Sequence, residues 1–380
     1  MNPKQTVSAA VVTVLFVIAF LLIALPSVAA DSGPQTVVDI DSLGYVTFPT
    51  GFSFGGTEVG GLSGITYDAK KDVYYVLSDQ RSEALYFTVS IDLSDGSLDN
   101  GDVSFEDITF LLDQRNKPFP PNSLDPEGIH LARQGQLFIS SEGDADASPA
   151  IDPFVNRFTN GGKQNRALTV PDKFLPDGNG TFGIRDNLAF ESLTSNKNTL
   201  YTATENALVQ DGPPSTLTET SPSRVLEYAL CNKRPGREFV YLVHPIPKAP
   251  VPAGSYADNG LVELQAIDDY GTFIAMERSF AVGVGNTVSL FEISEEGATD
   301  VSGIDALDIT PPPTYTPMRS RFLADFEDDL GIDPDNLEGM TFGPTLPDGR
   351  HLLIVVSDNN FNPTQTTQFI ALAVELEPVD

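Results

Sequence analysis

Acidic side chains return at matching points along this sequence of 380 residues, in a pattern that could bind cations. A short motif rich in glycine and apolar residues occurs five times, and four of the five copies carry an acid. These first acids are Glu127, Glu191, Glu263 and Glu338, with Ser63 in that place in the first copy. After each motif a second apolar run ends on another acid, and these second acids are Asp79, Glu142, Glu205, Glu277 and Asp358. Such repetition indicates an array of sheet units that brings the carboxylates to one place.

Carboxylates gathered in this way could hold a metal ion. Side chains alternate between the two faces of a strand, so equivalent positions of repeated units meet around one ring. Crowded carboxylates cannot all stay ionised in a dry site without cations. Calcium is a hard cation that takes roughly six to eight oxygen ligands, so we predict that the first and second acids bind calcium. The alternative is that they cap turns and accept hydrogen bonds from backbone amides.

Two arginines lie just past second acids, since Arg81 closely follows Asp79 and Arg278 directly follows Glu277. The planar guanidinium group suits a phosphate or a carboxylate. We predict that both arginines offset developing negative charge in a catalytic site. The acids predicted to share that catalytic site are Glu127, Glu263 and Glu338. The alternative is that each arginine forms an ion pair with the neighbouring acid.

Strand signals dominate the elements that must position these residues. Short β-branched and aromatic runs are separated by Gly, Asn, Asp and Pro, and turns at residues 70–72 and 347–350 separate the two runs of a repeat. Two further strands follow most pairs, so each unit is a four-stranded antiparallel blade. We predict an all-β fold, a β-propeller of five to six blades. The last copy lacks a fourth strand, which we expect the N-terminal runs 37–40 and 45–48 to supply.

Long intervals between the motifs leave the number of blades open. Residues 207–258 and 294–336 could each contain a degenerate sixth blade. Residues 318–330 have apolar side chains at helical spacing, which predicts one short helical insertion near the C-terminus. Of the three histidines, His130 is the one placed to face the central channel.

Composition excludes several classes of partner. The formal net charge is −31, with 53 acidic and 22 basic residues, so nucleic acid and anionic lipid would both be repelled. The single cysteine rules out an internal disulfide. Residues 1–30 are typical of a cleaved signal peptide, the alternative being an uncleaved anchor. We expect a periplasmic or extracellular monomer with a single domain at residues 31–380, a small anionic substrate and no membrane contact after cleavage.

The motifs also resemble a known family. The segments that carry the resemblance are Gly-Gly-Leu-Ser-Gly-Ile at 60–65, Asp-Pro-Glu-Gly-Ile at 125–129, Glu-Ser-Leu at 191–193, Thr-Glu-Asn at 204–206, Met-Glu-Arg-Ser-Phe at 276–280, Asn-Leu-Glu-Gly-Met-Thr-Phe-Gly at 336–343 and Val-Ser-Asp-Asn at 356–359. In this order they resemble the phytase-like secreted proteins termed "esterase-like activity of phytase", over about residues 45–376. The resemblance implies a propeller-like fold, export, and hydrolysis of an ester or phosphoester. The chain is more distantly similar to the calcium-dependent β-propeller phytases.

Three functions remain open at this point. The first is a secreted, calcium-dependent phosphoesterase that acts on phosphomonoesters. The second is a carboxyl-ester or lactone hydrolase on a similar calcium propeller. The third is a binding propeller without catalytic activity, because propellers carry many functions.

Overall fold

The computed structural model describes residues 33–308 and 313–379. The predicted signal peptide therefore lies outside the described residues. Within them, the chain consists of strands and connecting turns with two short 3₁₀ helices, Asp172–Phe174 and Val209–Asp211. This part of the chain contains no helix with the length and hydropathy needed to cross a membrane.

The strands form five four-stranded antiparallel blades and one two-stranded ribbon. The N-terminal strand and the ribbon are β1 (Gln35–Pro49), β2 (Ser53–Phe54) and β3 (Thr57–Glu58). Blade one contains β4 (Leu62–Asp68), β5 (Val73–Ser78), β6 (Leu85–Ile91) and β7 (Val103–Phe110). Blade two contains β8 (Pro126–Ala132), β9 (Gln136–Ser141), β10 (Phe154–Phe158) and β11 (Gln164–Ala167). Blade three contains β12 (Thr194–Ser195), β13 (Thr199–Ala203), β14 (Ser221–Ala229) and β15 (Pro235–Val243). Blade four contains β16 (Ala257–Ala266), β17 (Thr272–Ala281), β18 (Gly285–Ser294) and β19 (Arg319–Asp325). Blade five contains β20 (Asn336–Thr345), β21 (His351–Asp358), β22 (Thr366–Pro378) and β1.

Hydrophobic clusters between neighbouring blades close the ring. Five clusters each draw residues from two successive blades, and Val76 and Phe87 of blade one pack with Ile354 and Val356 of blade five. Strand β5 is buried along its whole length, because a blade is covered on both faces. This explains why the second run of each repeat is continuously apolar rather than alternating. The inner strands β4, β8, β12, β16 and β20 pack side by side around the channel.

The N-terminal strand completes the last blade, as the sequence predicts. Strand β1 pairs antiparallel with β22 from Gln35 opposite Pro378 to Pro49 opposite Thr366. It is one continuous strand with two bulges rather than two separate runs. Because β1 and β22 share one sheet, the ring cannot open without breaking this ladder.

The predicted helix at residues 318–330 is wrong. Its residues form β19, the outer strand of blade four, and then a turn in which Asp325 accepts the amides of Glu327 and Asp328. An outer strand is partly exposed, and Phe322 is 52% exposed, so its apolar residues need not alternate. Neither long interval holds a sixth blade within the described residues, because β14, β15 and β19 belong to blades three and four.

Candidate metal centre

A backbone bulge at the start of the inner strands directs the first set of acids. In blade five, Leu337 pairs with Ser357 and Gly339 pairs with Val356, so Glu338 is the extra residue between them. A bulge of this kind turns a side chain away from its regular position in the ladder. The corresponding residues of blades one, two and three are Ser63, Glu127 and Glu191.

The second strand of each blade ends beside this bulge. The amide of Glu142 donates to the carbonyl of Asp125 at 3.0 Å, and the amide of Asp79 donates to that of Gly61 at 2.8 Å. The residues at this position of the five blades are Asp79, Glu142, Glu205, Arg278 and Asp358. We call this end of the channel the acidic mouth, and it is formed by these five residues with Asp125, Glu127, Glu191 and Glu338.

The fourth blade departs from the expected pattern by one residue. Its bulge falls between Leu261 and Glu263, so Val262 takes the position that an acid has in blade five and packs in the cluster between those two blades. Glu263 takes the position of a glycine. Its buried carboxylate accepts the amides of Leu193 at 3.2 Å and Leu264 at 2.9 Å. Aligning Glu263 with the other first acids is therefore wrong. Glu263 instead fits the alternative given above, an acid that accepts hydrogen bonds from backbone amides.

The second acid of the fourth blade shifts in the same way. Glu277 lies in the ladder where the other blades carry Ser or Thr, one residue before the position of the second acids. Neighbouring side chains of a strand point to opposite faces, so Glu277 turns away from the acidic mouth. It accepts the Tyr241 hydroxyl at 2.6 Å and the Asn259 side-chain amide at 2.8 Å. Arg278 occupies the mouth in its place.

Three carboxylates at the acidic mouth lie close enough to share one cation. Asp125, Glu127 and Glu142 are buried, and each presents an oxygen within 4.8 Å of the other two. Burial raises the pKa of Asp125 to about 6 and that of Glu142 to about 7. Burial and the nearby Asp125 charge raise the pKa of Glu127 well above its usual value. Anions held this closely need positive charge between them, and an all-oxygen donor set suits a hard cation.

The remaining acids of the mouth extend this negative region around the channel. Burial raises the pKa of Glu205 to about 8 and that of Asp358 to about 6. Burial also raises the pKa of Glu191 and of Glu338, and neighbouring carboxylates of the ring raise both further. Since each acid perturbs the next, the predicted ring exists around most of the mouth, with Arg278 and Val262 interrupting it in blade four.

Arg278 is the buried cation of the acidic mouth. Its guanidinium nitrogens lie 3.6 Å from Glu338 Oε1, 3.7 Å from Glu205 Oε1 and 4.0 Å from Asp258 Oδ2. These distances are long for direct hydrogen bonds. The carboxylates nevertheless raise the Arg278 pKa despite burial of the group. The guanidinium group is therefore held in place by charge with hydrogen-bonding capacity to spare.

Three buried polar atoms at this mouth have no hydrogen-bond partner among residues 33–308 and 313–379. They are Nε of Arg278, Oδ1 of Asp79 and Nδ2 of Asn359. Buried polar atoms in folded proteins almost always have a partner, either protein, water or ligand. Their presence at the same mouth as the three clustered carboxylates indicates a site that receives further polar groups.

Arg81 plays a different part from Arg278. It extends across to blade two, where Nε donates to Asp125 Oδ1 at 2.9 Å and a terminal nitrogen contacts the other carboxylate oxygen. The Arg81 side chain is 45% exposed. The two arginines therefore do not occupy equivalent positions, and Arg81 forms an ion pair with an acid of the next blade rather than with its sequence neighbour.

Asp125 was not predicted as a ligand from the repeats. Its position in the other blades is taken by Gly61, Ala189, Gly260 and Asn336, so a search for recurring acids passes over it. The signal that could have found it is local, because Asp125 precedes the Pro-Glu-Gly motif directly and is the only acid at that position.

The opposite end of the channel holds a second polar site. A cavity of about 270 Å³ is lined by His130, Ser195, Arg133 and His351 among others. His130 Nε2 lies 2.8 Å from Ser195 Oγ. Burial, with a smaller effect from Arg133, lowers the pKa of His130 to about 4, so this imidazole is neutral near pH 7. The expectation that His130 faces the channel is consistent with this placement.

Known proteins resemble this chain in sequence and fold. The family described as "Phytase-like: Esterase-like activity of phytase" matches residues 57–361. An "Uncharacterized secreted protein" of Arthroderma benhamiae is 27% identical over an alignment of 146 residues, which covers 32% of this chain and only 27% of that relative. The endo-arabinase of Bacteroides thetaiotaomicron has a TM-score of 0.42 at 12% identity, over 88% of this chain and 97% of that one. Kuenenia stuttgartiensis hydrazine synthase has a TM-score of 0.35 at 11% identity, over 81% of each chain.

Proposed function

This chain belongs to the phytase-like family "esterase-like activity of phytase", and on that premise we propose that it is a calcium-dependent phosphoesterase that hydrolyses phosphomonoesters. The observation that carries the proposal is the buried cluster of Asp125, Glu127 and Glu142, at the same channel mouth as Arg278, whose Nε is a free N–H donor. The carboxylates can bind a cation and the arginine can donate a hydrogen bond to an anion. This pairing suits a phosphoryl group, whose negative charge is stabilised by a cation and by a hydrogen-bond donor.

The residues divide the work between metal binding and substrate binding. Asp125, Glu127 and Glu142 would hold calcium, which when bound polarises a phosphoryl oxygen and lowers the pKa of a water molecule. Arg278 would donate to the phosphoryl oxygens and offset charge that develops during hydrolysis. Arg81 would orient Asp125 through its two contacts with that carboxylate. Glu263 and Glu277 are left out because the structure bonds both to other groups.

We also propose export and a small anionic substrate. The Arthroderma benhamiae relative is described as secreted, and residues 1–30 have the pattern of a signal peptide. The strongly negative chain disfavours a large polyanion, so we propose a compact anion that contacts Arg278 and the proposed calcium at the mouth and little of the remaining surface. The proposed enzyme acts as a monomer.

The test is hydrolysis of p-nitrophenyl phosphate by the mature protein, first with calcium and then with excess chelator. We expect turnover that stops with chelator and returns with calcium. Glu127→Gln should abolish calcium-dependent turnover, whereas the matched control Glu83→Gln, an exposed acid outside the mouth, should not. Turnover that is unaffected by chelator and by Glu127→Gln would refute the proposal.

A carboxyl-ester hydrolase is the second candidate, and the opposite end of the channel favours it. Ser195 Oγ lies within hydrogen-bond distance of His130 Nε2, which is the arrangement of a nucleophile and its general base. In this reaction the Ser195 oxygen would attack the acyl carbonyl while His130 takes the hydroxyl proton. His130 would then protonate the departing alcohol, and water would release the acyl group. Hydrolysis of p-nitrophenyl acetate that resists chelator but is lost in Ser195→Ala would support this function.

A further inference from the structure

Four basic side chains line one pocket that the function proposed above does not use. The pocket has a volume of about 530 Å³ and lies where blades two and three meet. Its basic residues are Arg157, Arg166, Lys197 and Lys233. Gln136, at the start of β9, also lines it and pairs with Ala132 at the far end of β8 from Glu127. The pocket therefore opens on the face of the propeller opposite the acidic mouth.

These cations are not neutralised by the protein. No acidic residue lines the pocket, and none of the four bases forms an ion pair within the described ranges. Arg157 Nε donates to the neutral Asn165 side chain at 2.7 Å, and Arg166 donates to the Asn232 carbonyl at 3.0 Å. In a chain with 53 acidic and 22 basic residues, a pocket with four bases and no acid is a marked local reversal of charge.

Lys233 lies deepest among the four. It is only 6% exposed, its ammonium group sits 5.7 Å over the Phe138 ring and it donates to the Leu230 carbonyl. Burial and the positive charges of Arg157 and Arg166 lower its pKa. Holding an ammonium group beside two guanidinium groups is unfavourable unless an anion compensates. The fold therefore maintains a positive concave site at a cost that a bound anion would offset.

We propose that this pocket binds a small, multiply charged oxyanion of the phosphate class, either free phosphate or the phosphoryl group of a larger molecule. The two guanidinium groups can each present paired donors to tetrahedral oxygens, and the two ammonium groups supply further charge. The pocket is separate from the acidic mouth, so this binding does not rest on the proposed phosphoesterase activity.

The only cysteine of the chain offers a direct reporter. Cys231 is exposed and lines this same pocket. The mature protein would be treated with iodoacetamide, a neutral reagent, at constant ionic strength. Mass spectrometry would measure the rate at which Cys231 is alkylated. Pyrophosphate should slow alkylation in a saturable manner, and inorganic phosphate should do so at higher concentration. Equal slowing by sodium chloride of matched ionic strength would overturn the proposal, as would slowing by citrate as effective as that by pyrophosphate.

Variants test whether the named residues hold the anion. Arg157→Gln and Arg166→Gln should each weaken pyrophosphate binding roughly tenfold, because each removes charge-assisted hydrogen bonds. Arg115→Gln, an exposed arginine outside the pocket, is the matched control and should leave binding unchanged. Protection of Cys231 by glycerol phosphate, measured with excess chelator, then separates the two sources, since protection shows recognition of an esterified phosphoryl group at this pocket and its failure beside protection by phosphate shows recognition of the free ion. Protection of Cys231 that persists unchanged in the double variant would refute the site.

Discussion

Removing the metal should make this protein less stable as the pH rises. In the chelated protein, burial raises the folded-state pKa of Glu142 from its usual 4.5 to about 7, whereas in the unfolded chain the group titrates normally. A carboxyl with a raised folded-state pKa contributes stability that is fully present below pH 4.5. That stability is lost as the pH rises through the folded-state pKa, because the unfolded chain releases its proton first.

The magnitude follows from the pKa of Glu142. Each pH unit between the two pKa values costs about 1.4 kcal/mol per carboxyl group, so the loss for Glu142 between about pH 5 and about pH 8 is about 3 kcal/mol. Glu205, whose pKa rises to about 8, adds a loss of similar size. In a chain of this length a loss of that size lowers Tm by roughly 5 °C. Bound calcium should reverse the trend, because it stabilises the ionised carboxylates in the folded state alone.

The assay is thermal unfolding of the mature protein at several pH values, with calcium and with excess chelator. We expect Tm of the chelated protein to fall as the pH rises and calcium to restore it most at the highest pH. General repulsion among the acids also lowers Tm at high pH, so Glu142→Gln provides the control and should reduce the slope, whereas the exposed Glu83→Gln should not. A flat Tm in chelator, or an unchanged slope in Glu142→Gln, would refute the reasoning.

Three further predictions test the register, the buried charges and the channel. Calcium affinity, measured by titration calorimetry, should fall in Glu338→Gln but stay near normal in Glu263→Gln, because only the first side chain lies at the acidic mouth; the opposite ranking would contradict the register. Arg224→Met should destabilise the fold by about 3–5 kcal/mol in urea unfolding, because it strands the buried Asp211 carboxylate and leaves Glu238 with Lys173 as its one ion-pair partner, and a change below about 1 kcal/mol would count against that ion-pair network. Gly64→Ala should cost about 1–3 kcal/mol in the same assay, because its new Cβ would lie 2.5 Å from the Glu127 carbonyl oxygen; unchanged stability would mean that the inner strands can move apart.

Repetition in the sequence was enough to predict the architecture. Apolar runs that recur with short turns between them favour repeated antiparallel blades, which satisfy their backbone and bury both faces against their neighbours. The incomplete last copy called for the N-terminal strand now seen as β1. The outer strand β19 was misread as a helix because it is partly exposed, and exposure removes the apolar alternation that marks a strand. Sequence periodicity is informative for buried strands, where burial imposes it. It is uninformative for a strand exposed to solvent, where nothing imposes it.

The site depended on details that only strand pairing decides. Val262, Glu263 and Leu264 look like another copy of the motif, yet the bulge of β16 falls one residue earlier than the sequence suggests. A slip of one residue moves a side chain to the other face of a strand, so Glu263 and Glu277 bond to backbone and side-chain groups while Arg278 enters the mouth. Asp125 likewise becomes a candidate ligand only through the pairing of β8 with β9, which brings it to Glu127 and Glu142. The sequence alone thus determined which end of the channel carries carboxylates, and the hydrogen-bonded register of each blade decided which of them meet.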